Sequence, residues 1–276
     1  MAKKILKKAF NIIVYIFAII GFVLILAFLV SKTDLTNKNG IIDGKYDYFD
    51  KSRFLNDQSS LLWLNTEEYL SFKGTLAKEK NTLDRVQKET GIDSRLIVSM
   101  LFVEQMRLFN SDTELFKKVF QPLQILGVQS QYSWGVLGLK QSTLIDVENN
   151  LKNKNSPFYL GTSSENILDY NANSTLSIDE ERFNRVTDEH NQYYTYLYAS
   201  LMMKQIEKQW SDAGFDISNR PEILATLYNV GLSHSKPNAN PQVGGAEIDI
   251  GNEKYSFGRL AYEFYYSNEL IDVFPR

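Results

Sequence analysis

The chain has 276 residues, 43% hydrophobic and 23% charged, with 16 Tyr, 17 Phe and no Cys. That is the composition of a packed protein, with room for one ordinary domain once an apolar N-terminal segment is set aside. A formal net charge of -3 argues against a nucleic-acid partner, and the lack of Cys excludes disulfides, thiolate zinc sites and a cysteine nucleophile.

Phe10 to Val30 is a run of 21 residues without a charge, the length a helix needs to cross a bilayer core. Lys3, Lys4, Lys7 and Lys8 precede it, which predicts a single-pass anchor with the N-terminus in the cytoplasm and the rest of the chain outside. A cleaved signal peptide is the competing reading, but the apolar run is long for one and ILAFLVSKTD offers only a weak cleavage pattern. Residues 1–31 are therefore read as basic tip and anchor, 32–75 as a partly packed juxtamembrane linker, and 76–276 as the domain.

The fold class expected is mainly α. Thr75 to Thr90, stopped by Gly91, reads as a polar helix, and Asp93 or Ser94 caps the next one. In that second helix Leu96, Ile97, Met100, Leu101, Val103 and Leu108 recur at core-like spacing, interrupted by Glu104 and Arg107. Gln121 to Tyr132 is loop or short helix, and Ser133 to Gln141 is a glycine-punctuated turn leading into a helix through Val147. Asn149 to Ile178 reads as a surface connection, residues 179–210 as one long helical stretch, and Pro221 to Val230 as a buried helix opened by proline. IDIGNEKYSF forms a short hairpin around Gly251 and Asn252, the loop from Ser233 to Phe257 has the composition of a lid, and an aromatic helix over roughly Gly258 to Leu270 closes the domain.

Glu104 follows Met100, Leu101, Phe102 and Val103, so burial can keep its carboxyl protonated and able to donate to a glycosidic oxygen. The alternative is a pairing with Arg107 one turn away. Gly135-Val136-Leu137-Gly138-Leu139-Lys140-Gln141 and Tyr228-Asn229-Val230-Gly231 follow in order. A helix bearing Glu, a G-x-x-G-L-x-Q turn and a Y-N-x-G segment together resemble the soluble lytic transglycosylases, with their goose-lysozyme-like α fold. The resemblance spans roughly residues 85 to 270.

That resemblance implies that Glu104 is the catalytic acid, that Gly138, Leu139 and Gln141 line the glycan cleft, and that Tyr228 and Asn229 lie on the substrate side. It departs from the family pattern at Gln105, where Ser usually follows the Glu, at Lys140 in place of the turn's Met, and at Tyr132, where a Ser usually stands. The 30 residues between Glu104 and Gly135 are more than expected, so 109–132 read as an insertion. The implied activity is cleavage of the β-1,4 bond between N-acetylmuramic acid and N-acetylglucosamine, leaving 1,6-anhydro ends. No metal or other cofactor is called for.

Peptidoglycan glycan strands are the expected partner, with cell-wall or secretion machinery beside them. A hydrolytic muramidase is one rival and needs a second carboxylate, for which Asp146, Glu148, Asp169, Asp188 and Glu189 are open. A non-catalytic wall-binding scaffold is the other. His190 and His234 stand far apart and make no H-E-x-x-H motif, and the tyrosines of 193–198 read as core or rim packing because neighbours on a helix diverge.

Overall fold

The computed structural model describes residues 2–31, 40–43, 61–109 and 133–276. They divide into two compact units, Met1–Asn39 and Gly40–Arg276. The first carries helix α1, Ala2–Ser31. Phe10, Ile12, Ile13, Val14, Tyr15 and Phe17 are all exposed, so apolar side chains leave the helix at successive positions rather than along one stripe. Among the described residues no helix is long and apolar enough to cross a membrane. The anchor expected over residues 10–30 falls partly on side chains outside the described residues, as do the loop or helix expected over Gln121–Tyr132, nearly all of the insertion expected over 109–132, and most of the linker.

The second unit is mainly α. Its helices are α2 (Glu67–Leu76), α3 (Lys80–Thr90), α4 (Ser94–Phe109), α5 (Gln141–Lys152), α6 (Ile178–Thr187), α7 (Tyr193–Asp212), α8 (Pro221–Val230) and α9 (Phe257–Tyr266). Strands β1 (Ile41–Ile42) and β4 (Gly244–Gly245), β2 (Ser133–Trp134) and β3 (Leu139–Lys140), and β5 (Glu247–Ile250) and β6 (Glu253–Ser256) form three antiparallel pairs.

The central element is α4. Asp93 accepts the Arg95 N–H at 2.9 Å and Gln87 accepts the Ser94 N–H at 2.8 Å, which satisfies two of the donors that a helix start leaves open. Ile97, Val98, Met100, Phe102 and Val103 have no exposed surface, and the helix packs against α2, α3, α7 and α9. Phe102 stacks on Phe264 of α9 with ring centroids 4.7 Å apart, and Trp63 lies 4.8 Å from Phe102. Arg95 is fully buried and uses all five guanidinium donors on the carbonyls of Phe264, Tyr265, Ser267, Glu269 and Phe274. It ties the end of α9 and the C-terminal tail to α4.

Several boundaries differ from the sequence reading. The first helix of the domain starts at Glu67, not Thr75, and a 3-10 turn at Ala77–Glu79 separates it from α3. Thr66 caps it, accepting the Tyr69 N–H, and Tyr69 and Phe72 are buried, so this part of the expected linker is core. The long helix expected over 179–210 is two helices. Asp188 accepts the His190 N–H at 2.8 Å and Asn191 accepts the Tyr193 N–H at 3.2 Å, and these side chains replace helical bonding between α6 and α7. Helix α5 continues to Lys152, and α9 stops at Tyr266. The hairpin is present with Gly251 at φ +61. The segment read as a lid is pinned at Ser235, which donates to Gln209 and accepts from Trp210, and at Gly244 and Ala246, whose N–H groups bond Thr226 and Asn229.

Candidate active site

Glu104 lies in the third turn of α4, and 3% of it is exposed. Its position follows from the helix itself: the apolar residues before it face the core on every side, and the carboxyl leaves the helix where the β2–β3 turn crosses. Gly138 of that turn is at φ +62, and a Cβ there would stand 2.9 to 3.1 Å from both carboxyl oxygens and Cδ of Glu104. Only glycine allows this backbone conformation and this approach together. Gly135, at φ +66, anchors the other end of the turn, where a Cβ would crowd the Thr195 side chain at 3.1 Å.

Tyr228 closes the arrangement from α8. Its hydroxyl donates to the Leu137 carbonyl at 2.6 Å. Burial raises this hydroxyl well above its ordinary pKa, the charge of Glu104 raises it further, and Arg107 opposes the shift. Tyr228 is thus a neutral donor at any pH near 7, within electrostatic reach of the carboxylate. The three separated motifs, Glu104, the glycine turn and the Tyr-Asn segment, therefore meet in space.

Arg107 is the residue whose part the sequence left open. Its Nε and Nη2 donate to the same oxygen, Glu104 Oε2, at 2.9 and 2.5 Å. The carboxyl is thus both buried and paired, so the pairing weighed against an apolar environment coexists with it.

The other positions carried by the resemblance divide. Leu139 is buried and pairs with Trp134 in the β2–β3 ladder. Gln141 is half-buried at the first residue of α5, directly after the turn. Asn229 uses its carbonyl oxygen to accept the Ala246 N–H at 2.8 Å, which holds the segment after β4 against α8. Of the carboxylates left open as a second acid, Glu148 is engaged by Arg182, Tyr170 and Tyr198, and these partners hold it below the usual range although burial alone would raise it. Asp169 pairs with Lys152 and Asp188 caps its own turn. Burial raises the Asp146 carboxyl, and Glu189 is exposed.

His190 and His234 are exposed, and no cluster of His, Asp and Glu among the described residues is placed to hold a metal. A cleft of about 210 Å³ is lined by Ile92, Asp93, Leu96, Lys204, Glu207 and Tyr265. It sits at the opposite end of α4, with Leu96 about 12 Å along the helix axis from Glu104 at 1.5 Å per residue, and takes no part in the Glu104 site.

Comparison of the chain with protein-family models, with curated proteins and with solved structures returns no match.

Proposed function

We propose that the protein is a membrane-anchored lytic transglycosylase of peptidoglycan, with a lysozyme-like domain and Glu104 as its acid and base. The single observation that carries this reading is the meeting of Glu104, Gly138 and Tyr228, which are 34 and 90 residues apart in successive steps along the chain and lie in the family's order. A shared ancestry of three motifs accounts for their convergence on one carboxyl.

The chemistry needs one carboxyl and no bound metal. Protonated Glu104 gives its proton to the glycosidic oxygen as the bond from the muramoyl anomeric carbon to that oxygen breaks. The carboxylate then takes the proton of the muramoyl C6 hydroxyl, whose oxygen bonds the anomeric carbon. No water is consumed, and the ring closes as a 1,6-anhydro end. The neighbouring tyrosine, held neutral, fixes the turn under the carboxyl through Leu137 rather than acting as an acid. The engagement of Glu148 and Asp169 in ion pairs removes two of the five carboxylates open to the hydrolytic rival, which Asp146 and Glu189 still leave standing.

The anchor reading rests on the sequence, on the 21 uncharged residues from Phe10 to Val30 and the lysines ahead of them. Such a tether places the domain on the outer face of the membrane, within reach of the wall. A second reading, a wall-binding scaffold attached to cell-wall or secretion machinery, is favoured by the Arg107 pairing and by Gln105 and Lys140. Incubating the full-length protein in detergent with purified peptidoglycan, beside Glu104→Gln, separates them: an enzyme releases soluble fragments that the variant does not, and a scaffold binds glycan equally in both forms and releases nothing.

A further inference from the structure

The cleft at the far end of α4 serves no step of the Glu104 chemistry, and two kinds of wall meet in it. One is apolar, made by Ile92 and Leu96 at the start of α4 and by Pro221 at the start of α8, all three buried. Gly91 and Ser218 on the same lining are exposed, so the cleft opens to solvent. Its volume is about 210 Å³. A cavity of about 150 Å³ accommodates a benzene ring, so this one has room for a body of about eight non-hydrogen atoms.

The other wall is charged and comes from α7. Lys204 Nζ and Glu207 Oε2 stand 3.5 Å apart, at the outer limit of a hydrogen bond, and among the described residues this is the one hydrogen bond that either side chain makes. The Glu207 side chain is 16% exposed. Burial raises its carboxyl above the ordinary pKa, Lys204 pulls the other way without offsetting the rise, and the charge of Asp216 adds to it. Glu207 has therefore given up water without gaining a full partner, a condition that a further donor relieves. Asp93, the other carboxylate of the lining, is already engaged. Its Oδ1 accepts the Arg95 N–H and its Oδ2 the Tyr265 hydroxyl, each at 2.9 Å, and the Arg95 guanidinium and the start of α4 offset its charge. What remains open to the cleft is one cation and one anion, side by side and loosely paired.

We propose that this cleft binds a small apolar α-amino acid, with its carboxylate on Lys204, its ammonium on Glu207 and its side chain against Ile92, Leu96 and Pro221. In such a ligand the ammonium nitrogen and the carboxyl carbon are two bonds apart, about 2.5 Å. Its two charges meet the Lys204–Glu207 pair in reversed order, and each protein group gains a charge-assisted bond that it lacks. An amine alone serves only Glu207 and an acid alone only Lys204, and either brings a net charge to a pair whose charges balance. Valine has about the number of atoms that the volume takes. The site lies at the opposite end of α4 from Glu104 and does not depend on the function proposed above.

The test is titration calorimetry on the full-length protein in detergent near pH 7. Valine is compared with isobutylamine, which is valine without the carboxylate, and with isovalerate, which is valine without the ammonium. Valine binds with a Kd of about 1 mM or tighter, within reach of a ligand of its size, and each analogue binds about tenfold or more weakly than valine. Glu207→Gln keeps the shape and removes the anion, and there isovalerate binds more tightly than valine, whose ammonium has lost its partner. Lys204→Met removes the cation at a position whose side chain is 41% exposed, and there isobutylamine binds more tightly than valine. Each reversal is a gain for one ligand over another and so needs a folded protein, and either variant carries the test if the other fails to fold. No saturable binding of valine, binding of either analogue as tight as that of valine, or an unchanged order of affinities in either folded variant would each overturn the proposal.

Discussion

The Tyr228 hydroxyl donates to the Leu137 carbonyl at 2.6 Å, joining two segments that are 91 residues apart in the chain. The bond is buried, and it holds the glycine turn in place beneath Glu104. Tyr228→Phe keeps the ring and removes only the donor, leaving a buried carbonyl without it, at a cost of about 1 to 3 kcal/mol. Urea unfolding should show that loss, and peptidoglycan cleavage should fall by about tenfold or more as the turn loosens, in keeping with the sensitivity of catalysis to small misplacements. Unchanged stability and turnover would show that the turn holds without the tyrosine.

Gly138→Ala tests the close approach from the other side. The new methyl would stand 2.9 to 3.1 Å from the Glu104 carboxyl, on a backbone at φ +62. A side chain at positive φ and a displaced carboxyl together cost about 1 to 3 kcal/mol. We expect thermal unfolding at lower temperature and near-complete loss of cleavage, whereas Gly161→Ala, at φ +98 with open space around it, should lower stability alone.

Arg95 is a structural counterpart to Arg107. Replacing it with Met removes five bonds at once; Arg276 still reaches the Tyr265 and Ser267 carbonyls and Ser267 the Phe264 carbonyl, but those of Glu269 and Phe274 lose the bond Arg95 gives them, and the expected loss is about 3 kcal/mol, as for other broken buried charged networks. Arg95→Lys should recover little, because an ammonium has three donors and no planar fork. Denaturant midpoints check both, and a loss below about 1 kcal/mol for Arg95→Met would contradict the stapling role.

Glu263 of α9 gives the fold a pH dependence. Burial raises its carboxyl to about 7 against the opposing pull of Arg259 and the Trp63 indole, from an ordinary value of 4.5. Between those two values the folded chain holds a proton that the unfolded chain has released, so stability falls as pH rises through this window. The full swing is on the order of 3 kcal/mol at about 1.4 kcal/mol per unit. Glu148 and Glu269 are held below the usual carboxylate range and act in the opposite sense, at more acid pH. Thermal melts at pH 5, 6, 7 and 8 should show the wild type losing stability from pH 5 to 7 and levelling by pH 8, and Glu263→Gln, which still can accept from Trp63 but cannot titrate, should show a flatter profile.

What could be read in advance follows from how local each signal is. The Pro221–Val230 helix and the Glu247–Ser256 hairpin were legible because a proline at the first helical position and a Gly-Asn turn are local instructions. The break between α6 and α7 was not, since apolar spacing says nothing of Asp188 and Asn191 bonding the nearby backbone. Helix α2 was hidden by its polar composition, although Thr66 ahead of Glu67 and Glu68 is a capping signal that could have found it. At the site, the order of the three motifs was visible, as was the spacing of Glu104 and Arg107. The contact that joins Tyr228 to the turn was not, because its acceptor is a backbone carbonyl, and carbonyls carry no sequence.

Whether Glu104 cuts glycan strands without water is decided by mass spectrometry of the fragments that the protein releases from purified peptidoglycan. The wild type should release fragments one water lighter than hydrolytic products, and Glu104→Gln should release none. Fragments with reducing ends, release that persists in Glu104→Gln, or no release from the folded wild type would contradict it.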